Sequence, residues 1–192
     1  MTKAIIFDCF GVILTDALKA ICNPLQKTNP EKAELITRII TENNRGLISA
    51  EASSDKIAKI LGMKADELSQ LIKDGEVKDQ SVLDFIVSLR PNFKTAMLSN
   101  ISSTGLEHRF TPDELKLYFD VVVASGQVGF AKPEAQAYEV TAEKLGVRLE
   151  ECIMIDDVEA YCFGAKGVGM QAILYQTFDQ MKKELEALLT VN

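Results

Sequence analysis

The 192 residues contain a single histidine, His108, and none of the four cysteines (Cys9, Cys22, Cys152, Cys162) stands in a Cys-x-x-Cys pair. A zinc cluster therefore lacks donors. Positive charge is also short: 21 Lys and Arg face 28 Asp and Glu, a net charge of −7. An acidic surface repels nucleic acid and anionic lipid, so neither is expected as a partner. No apolar stretch reaches the length that spans a bilayer. The run MTKAIIFDCFGVIL has one basic residue, is interrupted by Asp8 and is followed by no small-residue cleavage site. It does not read as a secretory signal. Reduced cysteines complete the expectation of a cytoplasmic protein. No repeat or low-complexity segment is present.

Apolar residues make up 47% of the chain and charged residues 26%, an ordinary globular mix. Four apolar runs, Ala4–Phe7, Thr95–Leu98, Val121–Ala124 and Cys152–Ile155, are continuous rather than alternating, and Gln171–Tyr175 is a fifth candidate. Continuous runs of that length suit strands buried on both faces of a parallel sheet. Helical patterns separate the later runs: Pro133–Leu145 stops at Gly146, and Glu159–Lys166 stops at Gly167. Strands alternating with helices predict a doubly wound α/β fold with a parallel sheet.

One stretch breaks the alternation. Residues 15–90 hold no strand pattern, only helical ones over Pro30–Asn43, Ser54–Leu61, Ala65–Lys73 and Gln80–Leu89. A crossover between parallel strands needs one helix. The surplus predicts an all-helical cap at 15–90 inserted into a core made of 1–14 and 91–192. The tail Phe178–Leu189 reads as an amphipathic helix packed on the sheet.

Ligands of doubly wound sheets bind at the carboxyl ends of the strands. There the sequence delivers Asp8, then Ser99-Asn100, then Asp156-Asp157, with Lys132 in the Gly-rich stretch after the third strand. Each has a plain structural reading as a turn, a cap or a solvated charge. Their joint occurrence at one sheet edge points to chemistry. Carboxylates crowded together need protons or a cation, and an all-oxygen set suits magnesium. Lys132 adds positive charge, and Ser99 offers a hydroxyl to a phosphate oxygen. Gly11 permits close backbone approach, with exposed amides after Asp8 free to receive an anion.

These segments resemble the four motifs of the haloacid dehalogenase-like hydrolase superfamily: IIFDCFGVI the first, AMLSN the second, AKPEAQAYEVTAEKLGV the third and IMIDDVEAYCFGAKGVGMQAILY the fourth. The resemblance covers nearly the whole chain in order. It implies that Asp8 is the nucleophile and forms an aspartyl-phosphate. It implies that Mg2+ is held by Asp8, Asp157 and the Phe10 carbonyl, with Asp156 acting directly or through water. Ser99, Asn100, Lys132 and Gly11 would hold the phosphoryl group. The implied activity is a phosphatase of small phosphorylated metabolites, sugar phosphates among them, with the helical cap selecting the substrate.

Two positions depart from the pattern. Phosphatases of the superfamily usually carry a second aspartate two residues after the nucleophile, as general acid and base. Here that residue is Phe10, which cannot transfer a proton, and such help is worth about 10²–10⁴-fold. Leaving groups that need no acid, such as anomeric or acyl phosphates, would fit; so would a substitute acid such as Asp16. Four residues after Asp157, Tyr161 stands where relatives have Asp or Asn. Other readings remain open: a 2-haloacid dehalogenase, which shares the aromatic residue; a non-catalytic binding or regulatory module; and a signalling receiver domain. His108 reads as a surface helix residue, and Phe110, Tyr118 and Phe119 as core.

Overall fold

In the computed structural model, which describes residues 1–191, five parallel strands form one sheet. They are β1 (Ala4–Phe7), β2 (Lys94–Ser99), β3 (Val121–Ala124), β4 (Cys152–Asp156) and β5 (Gln171–Leu174), in the order β3-β2-β1-β4-β5. The chain winds outward from β1 to β3, then returns to lay β4 on the other side of β1. That reversal opens a crevice between the carboxyl ends of β1 and β4, where ligands of such sheets bind. The register is tight there, with Phe7 opposite both Met97 and Ile155.

Helices cover both faces, which explains the unbroken apolar runs. Ile5, Phe7, Met97, Ile153 and Ile155 pack on α5 (Gln80–Leu89) and α10 (Phe178–Val191) through Val82, Leu83, Ile86, Met181 and Leu185. Ala4, Ile6, Leu98 and Met154 face the other way, onto α8 (Ala135–Leu145) and α9 (Glu159–Gly167) through Ala137, Tyr138, Leu145 and Ala165. Two short helices, α6 (Pro112–Tyr118) and α7 (Ser125–Val128), flank β3. Phe110, Tyr118 and Phe119 lie in the core.

Four helices stand apart from this core: α1 (Ala17–Thr28), α2 (Pro30–Asn44), α3 (Ala50–Leu61) and α4 (Ala65–Gly75). They bury their own cluster around Ile36, Ile39, Ile57 and Leu68. Helix α1 was not among the helical patterns of the sequence, because Pro24 lies inside it and breaks the pattern. Asp16 caps it, accepting the Lys19 amide at 2.8 Å. Helix α5 falls within residues 15–90, yet its apolar face joins the sheet's core rather than the four-helix cluster.

The four helices connect to the sheet by a two-chain stem. Thr15 N donates to Val77 O at 3.0 Å, and Asp79 N donates to Ile13 O at 2.8 Å. Leu14 and Lys78 form an antiparallel bridge between them. The Thr15 hydroxyl donates to Gly75 O at 2.5 Å and accepts from Val77 N at 2.8 Å. Among the described residues no helix is long and apolar enough to cross a membrane.

Candidate active site

Strand β1 delivers Asp8 to the crevice. Its amide continues the ladder to Ile155 O at 2.9 Å, and its Oδ1 accepts from the Cys9 amide at 2.7 Å. Strand β4 ends in Asp156, which is fully buried, followed by Asp157. One carboxylate oxygen from each of Asp8, Asp156 and Asp157 lies within 4.8 Å of the others.

Lys132 enters this cluster from the segment between α7 and α8. Its ammonium sits 2.7 Å from Asp8 Oδ1 and 2.6 Å from Asp156 Oδ2. The backbone of Lys132 is clamped by the Asn100 side chain: Asn100 Nδ2 donates to Lys132 O, and Lys132 N donates to Asn100 Oδ1, each at 2.8 Å. Asn100 thus fixes the lysine that fixes the carboxylates. The Tyr161 ring lies 5.1 Å from the same ammonium, a cation–π contact.

One buried ammonium between two buried carboxylates leaves negative charge over. Burial drives the Asp8 carboxyl up, against the pull of Lys132, from 3.8 to about 7. Asp156 is raised for the same first reason. Burial works against the charge on Lys132 too, but Asp8 and Asp156 together more than offset it and hold the ammonium above its usual range. The surplus charge calls for a proton or a cation, and three carboxylates form the oxygen donor set that suits magnesium. The residues present therefore fit that ion. Both oxygens of Asp156 are already engaged, Oδ2 by Lys132 and Oδ1 by the Val158 amide at 2.9 Å. Asp8 and Asp157 are the better-placed direct ligands.

Lys19 of α1 also reaches the cluster, its ammonium 2.6 Å from Asp157 Oδ2. Sequence reasoning missed it. Nothing in the sequence tells that the residue three positions after Asp16 reaches across to Asp157.

Ser99, at the end of β2, is fully buried, and its hydroxyl has no partner. It lines the same cleft as Asp8 and Lys132. An unpaired buried hydroxyl is costly, so it marks a place where a ligand oxygen belongs.

Gly11 serves differently from expectation. Its amide donates to Leu14 O at 2.6 Å, so it is not free for an anion. Its φ is +84°, and a Cβ there would lie 2.4 Å from the Asp157 carboxyl carbon. Gly11 makes room for Asp157. Phe10 lines the cleft with Arg109 5.1 Å above its ring. His108 lies in a turn rather than a helix and, although exposed, lines the cleft as well.

The model of one family, the haloacid dehalogenase-like hydrolases, matches residues 2–169, which holds all of these positions. The chain belongs to this family. Among relatives of this haloacid dehalogenase-like hydrolase, a Mycobacterium tuberculosis phosphatase is 40% identical over 73 residues, 36% of this chain and 34% of the relative. The phosphorylated carbohydrates phosphatase of Thermotoga maritima is 25% identical over 185 residues, 89% of this chain and 83% of that one. The chain spans about a third of the length of the first curated relatives it matches, 34% and 36%. In structure it is similar to a family enzyme from Bacteroides thetaiotaomicron crystallised with magnesium and inorganic phosphate. The TM-score is 0.74 at 20% identity, covering 93% of this chain and 96% of that one, a likeness of fold.

Proposed function

We propose that this hydrolase is a magnesium-dependent phosphatase of small phosphorylated metabolites that works through an aspartyl-phosphate on Asp8. The observation that carries the reading is the joint geometry of one cleft: three clustered carboxylates, two of them paired with one buried ammonium, beside a buried serine hydroxyl without a partner. The two phosphatase-named relatives support the same reading.

In this mechanism Asp8 attacks phosphorus, and the bond to the leaving oxygen breaks. Lys132 and the Cys9 amide hold Asp8 Oδ1, so the carboxylate meets phosphorus in one orientation. Ser99 and Lys132 bind the transferring phosphoryl oxygens, and Asn100 positions Lys132. Asp156 keeps Lys132 charged. Asp8, Asp157 and the Phe10 carbonyl would hold Mg2+, which supplies positive charge to offset that of the phosphoryl group. Water then attacks the aspartyl-phosphate, releasing inorganic phosphate and regenerating Asp8.

The first test is phosphate release from an aryl phosphate. Asp8→Asn and removal of magnesium by chelation should each abolish it; activity that survives either change refutes the mechanism. Halide release from a 2-haloacid with chelator present would instead place the electrophile at carbon.

A further inference from the structure

The cleft does not end at the carboxylates. From Asp8 and Ser99 it continues between the helices of the insertion as one cavity of about 820 Å³. A phosphoryl group fills the space of a few waters, on the order of 100 Å³. Most of the cavity is therefore left for the rest of the substrate.

The inner wall of that remainder is aliphatic: Leu18, Ile36, Ile40, Ile57, Leu68 and Ile72. Ile36, Ile57 and Leu68 are buried members of the helices' own cluster. Four polar side chains of the same stretch, Asn23, Gln26, Thr37 and Ser69, are exposed, while Asn43 and Asn44, half-buried at the end of α2, also line the cavity. The wall also offers the hydroxyls of Ser53, which is buried, and Ser54, whose Oγ lies 3.4 Å from Ser69 Oγ. A sugar pushed against the aliphatic side leaves the hydroxyls that face it without partners. A hydrocarbon chain gains from the same contact.

The reacting end of the site adds a second constraint. The side chain two residues after Asp8 is a phenyl ring under a guanidinium, not an acid. The Asp16 carboxylate also lines the cleft but is engaged as the cap of α1 by the Lys19 amide, so a leaving group that must be protonated is poorly served, whereas a carboxylate leaves without a proton.

Resting on the phosphatase reading, we propose that the substrate class is an aliphatic acyl phosphate, the mixed anhydride of phosphoric acid and a hydrocarbon-chain carboxylic acid. Asp8 oxygen bonds to phosphorus as the acyl O–P bond breaks, and the acid departs as its carboxylate with the bonding pair. Water then cleaves the aspartyl-phosphate, giving inorganic phosphate and returning the Asp8 carboxylate. One water is consumed, and no oxidant or further reactant is needed. The acyl chain lies along the aliphatic wall.

The test is a substrate series with magnesium present, corrected for spontaneous hydrolysis: acetyl, butyryl, hexanoyl and octanoyl phosphate beside alkyl phosphates of equal length. The expected kcat/KM rises about fourfold per methylene until the cavity is filled. Alkyl phosphates should be slower by about 100-fold or more. Ile40→Asn should flatten the chain-length slope. A flat or falling series, or alkyl and acyl phosphates turned over alike, overturns this inference while aryl phosphate turnover leaves the phosphatase reading standing. No turnover of any phosphate overturns both.

Discussion

A methyl group at Gly11 would stand 2.4 Å from the carboxyl carbon of Asp157, on a backbone whose φ of +84° L side chains rarely adopt. Gly11→Ala must therefore displace Asp157. Magnesium affinity, read by calorimetry, should weaken by about 10–100-fold, the usual cost of disturbing a group that sets a ligand. Asp8 gives a pH prediction. Its buried carboxyl titrates near 7 in the folded, metal-free protein against 3.8 when free. Between those values the folded state holds a proton that the unfolded chain has released. Stability from this group thus falls as pH rises through the window. Metal-free melts should show a midpoint declining from pH 5 to 8. Asp8→Asn should flatten that decline and melt about 3 °C or more higher than the parent at pH 8. An identical pH slope in the two proteins would count against the buried, charge-crowded Asp8 described above.

The strands were legible because burial on both faces leaves unbroken apolar runs, and their ends fell within a residue or two. The carboxylates, Ser99 and Lys132 were legible because strand ends of such a sheet converge. Helix α1 was not, since Pro24 mimics a stop, and Lys19, which α1 carries, was lost with it. Nor could the sequence tell that α5 belongs with the sheet: its amphipathic period resembles that of its neighbours, and only packing decides which core it joins. The capping of α1 aims Lys19 at Asp157, where the ammonium competes with any other cation. Lys19→Met should therefore tighten magnesium binding by up to about fivefold while costing the metal-free protein little, as expected of a half-exposed ion pair. Weaker magnesium binding in this variant would mean that Lys19 orders Asp157 rather than competing for it.

Three ion pairs link the four helices and the turn after them to the rest of the protein: Lys19–Asp157, Arg45–Glu134 at 2.7 Å and Arg109–Glu76 at 2.6 Å. The last is the most enclosed. Glu76 follows α4, and Arg109 comes from the turns after β2 and also covers Phe10. Removing one partner strands the other charge in a poorly solvated place. A double-mutant cycle of Arg109→Ala and Glu76→Ala in urea unfolding should give a coupling of about 1–2 kcal/mol. Additive effects would mean that this contact does not hold the helices over the cleft.

The stem at Thr15 and Val77 brings the outgoing and returning chain side by side, tied by backbone hydrogen bonds. The four helices above that tie bury a cluster of their own, and the backbone leaves and rejoins the sheet side at a single place. A longer or shorter loop among those helices therefore need not shift β1, which carries Asp8 on the other side of the tie.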